Sequence, residues 1–520
     1  MKNRNLIIKF NQALMTKKTA ILTGFVLLKF VLQYVLISPE YDLQRDEYLH
    51  LDQANHLAWG YLSVPPVTSW ISWIIKGLGN SVFWVKFFPA LFGALTIVVV
   101  WKAIETLNGT LAALILGATG VLFSVLLRLN TLYQPNSLDV LCWTALYYVL
   151  IKYLNSRKTQ WLYAGAVVFA IGFLNKYNIA FLLIGFVPAL LLTPQRKLLI
   201  NPHVVGAGLV ALLLILPNLL WQYTNQFPVL FHMKELAEKQ LVNVDRNAFL
   251  KAQLLFFVGS LPVIIAGIYA LLVYKPFETY KSFAWAIGLT LGVFLYLKAK
   301  DYYAIGLYPI YLSFGSVFVA NQLQTGWKRY LLPAIIALPV LFFIPMYQVA
   351  FPNKSPDYMV SHRATYQKLG QLRWEDGKDH ALPQDYADML GWRELAAKVD
   401  KVYTTLPGNT LVLCDNYGQA GAINFYTKRS VQAVSFNADY LNWFNLDQPY
   451  ANLIRVKEAE NQRDELNETS PYFRTSLAAD SITNPFAREQ GTTIFLFTGA
   501  NVDIRQRIKH EIDEVNSQRR

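Results

Sequence analysis

"YDLQRDEYLHLDQANHLAWGYLSVPPVTSW" occupies residues 41–70. It follows "AILTGFVLLKFVLQYVLIS" (20–38), a run about as apolar and as long as a bilayer span requires, roughly 20 residues. A chain leaving a membrane here would at once display Asp46 and Glu47, His50 and His56, several Tyr and Trp residues and Pro65-Pro66. The segment is too long and too patterned for a plain connector, since long loops are uncommon unless they have a function. Tyr48, Leu49, Asp52, His56, Leu57 and Trp59 recur at mixed helical spacing, and Trp70, Trp73, Ile74 and Gly77 share one helical face. Two short helices at the membrane surface, divided by the proline pair, are predicted. Tyr and Trp favour that interface because each ring has a polar tip on an apolar body. Composition alone weighs two roles equally: an interfacial anchor with solvated acids, or a catalytic loop.

The whole chain supports the membrane reading. Of 520 residues, 54% are hydrophobic and 16% charged, with a mean hydropathy of +0.27. Soluble domains carry about 25% charged residues. A net charge of +13 fits cytoplasmic loops and anionic headgroups, and no nucleic-acid motif accompanies it. Cys142 and Cys414 are too few and too far apart for a disulfide framework or a thiolate metal site. The N-terminal run with Lys2, Arg4, Lys9, Lys17 and Lys18 resembles a signal peptide. It lacks a small-residue cleavage site and reads as an uncleaved first span.

Further apolar runs fall near 82–104, 109–127, 137–154, 160–175, 178–193, 203–221, 252–273, 280–297, 302–321 and 329–350. The expected fold is mainly α: a polytopic transmembrane bundle of about eleven spans. Interfacial helices would lie in the first outer loop, and a soluble α/β domain would close the chain. The predicted division is 1–350 for the membrane domain and 351–520 for the soluble one. In the latter, "LPQDYADMLGWRELAAKVD" (382–400) has helical spacing. "NTLVLCDNYGQAGAINFY" (409–426) reads as strand, glycine-containing turn and helix, and "TTIFLFTGA" (492–500) as a strand. The short links "NSRKTQ", "TPQRKLLINP", "YKPFETYK" and "NQLQTGWKR" are basic and should share the cytoplasmic side with the N-terminus. The first loop and the C-terminal domain then lie outside the cytoplasm. Lys29, inside the first span, either faces the bundle interior or marks a misjudged depth.

On that topology several ionisable residues reach the outer face together. Arg128 precedes "LNTLYQPNSLD", Asp139 enters the fourth span, and Lys176 sits in the tight link "FLNKYNIAF". Lys298, Lys300 and Asp301 lie in "YLKAKDYYAIGLYP". Any one lysine at a span end is more often a snorkelling anchor. The set as a whole suits glycosyl transfer from a lipid phosphate. A carboxylate removes the proton of an acceptor hydroxyl as it attacks the sugar carbon. Cations hold the phosphate while negative charge develops on it. Arg128 could do so bidentately and Lys176 as a point charge. The expected arrangement has first-loop acids facing these cations across one lipid-accessible hollow.

Five stretches carry a family resemblance: "RDEYLHLDQANHLAWGYLSVPPVTSWI", "LYQPNSLDVLCW", "FLNKYNIAFLLIGFVPALLLTPQRKLL", "LPNLLWQYTNQFPVLFHMKEL" and "KDYYAIGLYPIYLSFGS". They are similar to the C-type polytopic glycosyltransferases, in the bacterial branch near dolichyl-phosphate-mannose–protein mannosyltransferases and lipid A aminoarabinose transferases. The resemblance implies an inverting transferase of the bacterial inner membrane that uses a polyprenyl-phosphate sugar. Its acceptor would be a hydroxyl of a glycan, lipid or protein. It implies Asp46 as catalytic base, Glu47 as alternate or helper, and Asp139 as a shaper of the same cavity. Arg128, Lys176 and Lys300 would contact phosphate or sugar. Tyr133, Tyr302 and Tyr303 would stack on sugar or prenyl groups, and His56 would line the acceptor route. Nothing in the tail suggests a β-trefoil sugar-binding insert. No cofactor is implied with certainty. A divalent cation at Asp46, His50 and Asp52 stays open, because the spacing is not diagnostic. The competing function is a transporter or flippase of lipid-linked sugars. Transporters often show paired halves with interrupted helices, and no internal repeat is visible in this sequence.

Overall fold

The computed structural model describes residues 2–239 and 241–518, with side chains from Met15 onward except those of Lys239, Asn243 and Gln518. Among the described residues, six helices are long and apolar enough to cross a membrane: Met15–Val35, Val82–Thr106, Asn136–Ser156, Pro202–Thr224, Asp301–Gln322 and Gly326–Val349. Two bent pairs raise the number to eight. Tyr177–Leu191 turns by 118° into Pro194–Ile200, and Arg246–Leu255 by 66° into Val258–Val273. This is a multi-pass membrane protein, and the eleven-span expectation is met in part. The predicted spans near 109–127, 160–175 and 280–297 form helices Leu111–Leu122, Gln160–Asn175 and Lys281–Tyr296, of 12, 16 and 16 residues. At 1.5 Å per residue they are about 18 to 24 Å long. That is short of a ~30 Å hydrocarbon core.

The chain divides into two compact units. The first holds residues 1–36, 64–67 and 86–351; the second holds 37–63, 68–85 and 352–520. The sequence placed a single boundary at 350/351. The structure instead groups most of the first loop with the C-terminal residues, because helix Arg45–Asp52 packs on helix Tyr417–Tyr426.

In the membrane unit, Asn136–Ser156 and Asp301–Gln322 are central, with 72% and 83% of their apolar windows buried. Met15–Val35 and Gly326–Val349 are peripheral, at 11% and 6%. Small residues set the closest helix crossings, as membrane packing requires. A Cβ on Gly315 would fall 1.8 Å from the Val263 carbonyl oxygen, and one on Gly267 2.5 Å from that of Tyr311. Lys29 faces the interior: it is buried, and its ammonium donates to Gln33 Oε1 at 2.7 Å.

The second unit is built on a five-stranded mixed sheet. Its strands are β1 (Thr410–Cys414), β2 (Ala433–Ser435), β3 (Asn452–Lys457), β4 (Phe473–Ser481) and β5 (Thr493–Ala500). Their spatial order is β2-β1-β3-β5-β4. β1 runs parallel to β2 and β3, and β5 antiparallel to β3 and β4. Helix Tyr417–Tyr426 makes the crossover from β1 to β2, with Asn416 capping its first turn through Gln419 N at 3.0 Å. The strand, turn and helix read from 409–426 and the strand read from 492–500 are present.

The first loop holds the two short helices predicted, Arg45–Asp52 and Val67–Gly77, on either side of Pro65-Pro66. Ser72 Oγ donates to the His50 carbonyl at 2.7 Å and ties them together. Trp73, Ile74 and Leu78 are left exposed, as an interfacial face would be. Helix Arg45–Asp52 docks on helix Tyr417–Tyr426 through Gly418 and Gly421, which share a face because they are three residues apart. A Cβ on Gly421 would meet Tyr48 Cβ at 2.8 Å and the Tyr48 carbonyl carbon at 3.0 Å; one on Gly418 would meet the flexible Arg45 Cγ at 2.6 Å. Gly421→Val should therefore destabilise the second unit by about 2 kcal/mol or more through overpacking against backbone. Gly418→Ala should cost less, since the arginine stem can move. Thermal unfolding of the two variants checks the order; equal losses would contradict the docking geometry.

Candidate functional site

The membrane unit gathers four of the expected residues at a helix break. Helix Gln160–Asn175 ends at Lys176, whose backbone is extended (φ −158°, ψ 128°). A short turn, Tyr177–Ile179, then leads into Ala180–Leu191. Breaking a helix beside apolar segments frees backbone and side-chain polar groups that must find partners. Asn175 Nδ2 donates to the Pro135 carbonyl at 2.8 Å. Lys176 Nζ donates to Asn136 Oδ1 at 2.7 Å. The same ammonium lies 4.3 Å from the ring centroid of Tyr303 and 5.1 Å from that of Tyr302, within cation–π range.

Asp139 is buried in the first turn of Asn136–Ser156. Its Oδ1 accepts from Trp143 Nε1 at 3.1 Å and its Oδ2 from Asn178 Nδ2 at 2.9 Å. Asn178 Nδ2 also donates to the Tyr303 carbonyl at 2.9 Å, so one amide joins three segments. Tyr177 OH donates to Asn218 Oδ1 at 3.1 Å and accepts from Gln222 Nε2 at 2.9 Å, which adds helix Pro202–Thr224 to the network. Lys300 is half-buried at the start of the turn Asp301–Leu307, close enough to act electrostatically on Lys176. Arg128 donates to Thr131 Oγ1 at 2.8 Å, and Tyr133 is buried a few residues on. Of the expected set in this unit, Asp139, Lys176, Tyr302 and Tyr303 form one cluster. Asn136, Trp143 and Asn178 belong to it but were not singled out from the sequence. The signal for Asn178 was there: a second polar residue inside a link too short to reach water.

Asp46, Glu47 and His56 belong to the second unit, and the structure gives the two acids different tasks. Gln44 caps helix Arg45–Asp52 by accepting from Asp46 N at 2.9 Å. Glu47 closes the reciprocal half of the capping box, its Oε2 accepting from Gln44 N at 2.6 Å, and it is buried. Asp46 is half-buried, and its Oδ1 accepts from Tyr417 OH at 2.6 Å. The Arg45 guanidinium lies 4.6 Å above the Tyr417 ring. At the other end of the helix, Asp52 accepts from Asn55 Nδ2 at 2.7 Å and Asn424 Nδ2 at 2.6 Å. His56 stacks on Trp443, with centroids 4.2 Å apart and planes within 8°. Burial pulls the His56 imidazole below its usual range; the Asp52 carboxylate opposes this and Lys76 reinforces it. Among the described residues no group of three His, Cys, Asp or Glu side chains is arranged to hold a metal ion.

With this geometry in hand, the chain can be set beside known proteins. Residues 63–221 match the family described as dolichyl-phosphate-mannose-protein mannosyltransferase. The lipid A galacturonosyltransferase RgtD of Rhizobium johnstonii is 22% identical over 306 residues, covering 54% of this chain and 60% of that protein. ArnT from Cupriavidus metallidurans, solved bound to undecaprenyl phosphate, superposes with a TM-score of 0.62 at 14% identity. That match covers 92% of this chain and 98% of the other; apo ArnT gives 0.60 at 13% identity. The resemblance drawn from the sequence holds: the fold is that of the C-type polytopic membrane glycosyltransferases.

The Asp139 network makes a direct prediction. Asn178→Leu leaves the buried Asp139 Oδ2 and the Tyr303 carbonyl without their shared donor, at a cost of about 2–3 kcal/mol. The unfolding midpoint of the detergent-solubilised protein should fall accordingly, and an unchanged midpoint would mean that the amide carries no structural weight.

Proposed function

We propose that the chain is a glycosyltransferase that moves a sugar from a polyprenyl-phosphate donor to an acceptor hydroxyl outside the cytoplasm, with inversion at the sugar carbon. The carrying observation is the Lys176–Asp139–Asn178 cluster at a helix break, in a fold shared with a protein bound to undecaprenyl phosphate. In this reading Lys176 bears on the donor phosphate. Its ammonium hydrogen-bonds a neutral amide and meets two tyrosine faces, and the nearby Asp139 carboxylate acts on it electrostatically. Asp139 acts through Asn178, fixing the turn that presents the lysine. Arg128 and Lys300 add positive charge, and Tyr133, Tyr302 and Tyr303 supply apolar faces for sugar or prenyl groups. About eleven crossings, with the short helices embedded in the bundle, put the N-terminus in the cytoplasm and the second unit outside it.

Asp46 is the proposed base. Its Oδ1 accepts a hydrogen bond from the Tyr417 hydroxyl, which orients the group, and a carboxylate offers about four acceptor directions in all. Glu47 holds the helix start that sets the position of Asp46. The reaction then needs no electron transfer: the acceptor oxygen bonds to the anomeric carbon, the carbon–oxygen bond to phosphate breaks, and the hydroxyl proton passes to Asp46.

Two substitutions separate these roles. Asp46→Asn should lower turnover about 10²–10⁴-fold, the usual contribution of a general base, while the protein stays folded and loses only about 1 kcal/mol from the weakened Tyr417 hydrogen bond. Glu47→Ala, which removes the acceptor that holds Gln44 N, should mainly cost stability, by about 1 kcal/mol, as loss of a cap does. The assay is polyprenyl phosphate released from a panel of polyprenyl-phosphate sugars, read by mass spectrometry with purified protein. Full release by an Asp46→Asn, Glu47→Gln double variant would remove the base. Lys176→Met should weaken donor use about tenfold or more in kcat/KM, the loss of one charge-assisted hydrogen bond. Movement of intact lipid-linked sugar across vesicles, with no polyprenyl phosphate released, would instead identify a flippase.

A further inference from the structure

The second unit contains a cavity that the donor chemistry above does not use. It has a volume of about 300 Å³ and its lining includes Asp52, Asn55, His56, Asn424, Gln432 and Trp443. That volume is at the lower limit of the ~300–1,000 Å³ range of small-molecule sites. Its walls combine two kinds of surface. The His56 and Trp443 rings lie parallel at 4.2 Å, and Tyr440 abuts the indole at 4.6 Å and 64°. The same lining includes a carboxylate, Asp52, which is itself 6% exposed and on which Tyr440 also bears.

The carboxylate is held in place. Asn424 spends one amide hydrogen on Asp52 and the other on the Ala433 carbonyl at 2.9 Å, while its oxygen accepts from Ala433 N at 2.7 Å. An edge strand, β2, thereby fixes the amide, and the amide fixes the acid. Asn55 holds the other carboxylate oxygen and also accepts from Lys76. Each carboxylate oxygen has a second acceptor direction beyond its amide bond. The loop that carries His56 is also latched. Asp439 is buried and accepts from Leu62 N at 2.7 Å and Gln53 Nε2 at 2.9 Å. Tyr61 OH donates to the carbonyls of Gln53 and His56 at 3.2 and 3.0 Å.

A preformed hollow with flat aromatic surface and a rigid hydroxyl acceptor is suited to one chemical class. A pyranose has a face of C–H groups, which is attracted to the negative face of an aromatic ring. Its edge is made of hydroxyl groups that donate to a carboxylate more strongly than to a neutral acceptor. An acidic or phosphorylated ligand would meet Asp52 with the wrong sign, and a purely apolar one would bury that carboxylate unsatisfied. We infer that this cavity binds a neutral sugar ring, stacked against the His56–Trp443 pair with hydroxyls on Asp52. Resting on the transferase reading above, the ring is part of the acceptor, which makes the acceptor a glycan or glycolipid. Asp52 and Asp46 stand six residues apart on one helix, about 9 Å along its axis at 1.5 Å per residue. A glycan engaged at one end is therefore held in register with the proposed base at the other.

The test uses purified full-length protein in nanodiscs and three probes: the methyl glycosides of mannose, glucose and N-acetylglucosamine. Saturation-transfer NMR should show transfer to the ring protons of at least one of them. Trp443→Ala, Asp52→Asn and Gln432→Trp should each weaken that binding about tenfold or more, the scale of one lost 1.4 kcal/mol contact. Gln432 is an exposed lining position, so a tryptophan there obstructs the cavity without disturbing the core and settles the matter if Trp443→Ala fails to fold. No transfer to any of the three glycosides, or unchanged transfer in Gln432→Trp, overturns the proposal. Glycoside binding by a protein that releases no polyprenyl phosphate would sink the transferase reading alone; release without glycoside binding would sink the cavity alone.

Discussion

A charged group beside apolar helices must find partners within the protein, and the membrane unit is organised by that constraint. Water cannot satisfy Asp139, which is buried in the first turn of a central helix, so Trp143 and Asn178 do. Asn178 can reach it only because the chain stops being helical at Lys176 and restarts at Ala180. The break is therefore a requirement of the buried acid. It has a second consequence: the same turn carries Lys176 to Asn136 and to the two tyrosines. A structural necessity and a partly buried cation thus share four residues of sequence.

The second unit answers a different problem, how a loop near the N-terminus becomes part of a domain more than 300 residues later in the chain. Glycine supplies the means. Two small positions on Tyr417–Tyr426 let its backbone approach helix Arg45–Asp52 closely, and hydrogen bonds then lock particular residues. Tyr417 reaches Asp46, Asn424 reaches Asp52, and Asp439 reaches Leu62. The helix of the first loop is consequently rigid at both ends, which a solvent-exposed surface helix of eight residues would not be.

What could be read in the sequence follows from the range of the interactions concerned. Long apolar runs such as 82–104 and 203–221 announced their helices, because span length is a local property. The strand and helix of 409–426 were legible from alternation, turn residues and helical period. The number of crossings was not. Leu111–Leu122 and Lys281–Tyr296 end early, and the bends of 118° and 66° depend on what the helices pack against. Asp139, Lys176, Tyr302 and Tyr303 stood out as ionisable or aromatic groups near span ends, and the fold gathers them. Tyr417, Asn424, Asp439 and Trp443 carried no local mark. Each meets the first loop through a partner more than 300 positions away, and pattern reading has no access to such pairs without a fold.

The helix Arg45–Asp52 shows how adjacent identical chemistry is divided by geometry. Asp46 and Glu47 are both carboxylates in the first turn, where negative charge is favoured by the helix dipole. Consecutive helical residues point about 100° apart, so only one of them can turn back to the N-cap. Glu47, at the third helical position and one methylene longer, reaches Gln44 N and is buried there. Asp46 is too short and wrongly directed for that bond and instead meets the hydroxyl of Tyr417. Exchanging the two side chains would therefore do more than move a charge by one position. It would put the short acid where the cap needs reach and the long one where Tyr417 holds a carboxylate close, so both roles would be lost together. The order Asp-Glu, rather than the presence of two acids, is what this loop requires.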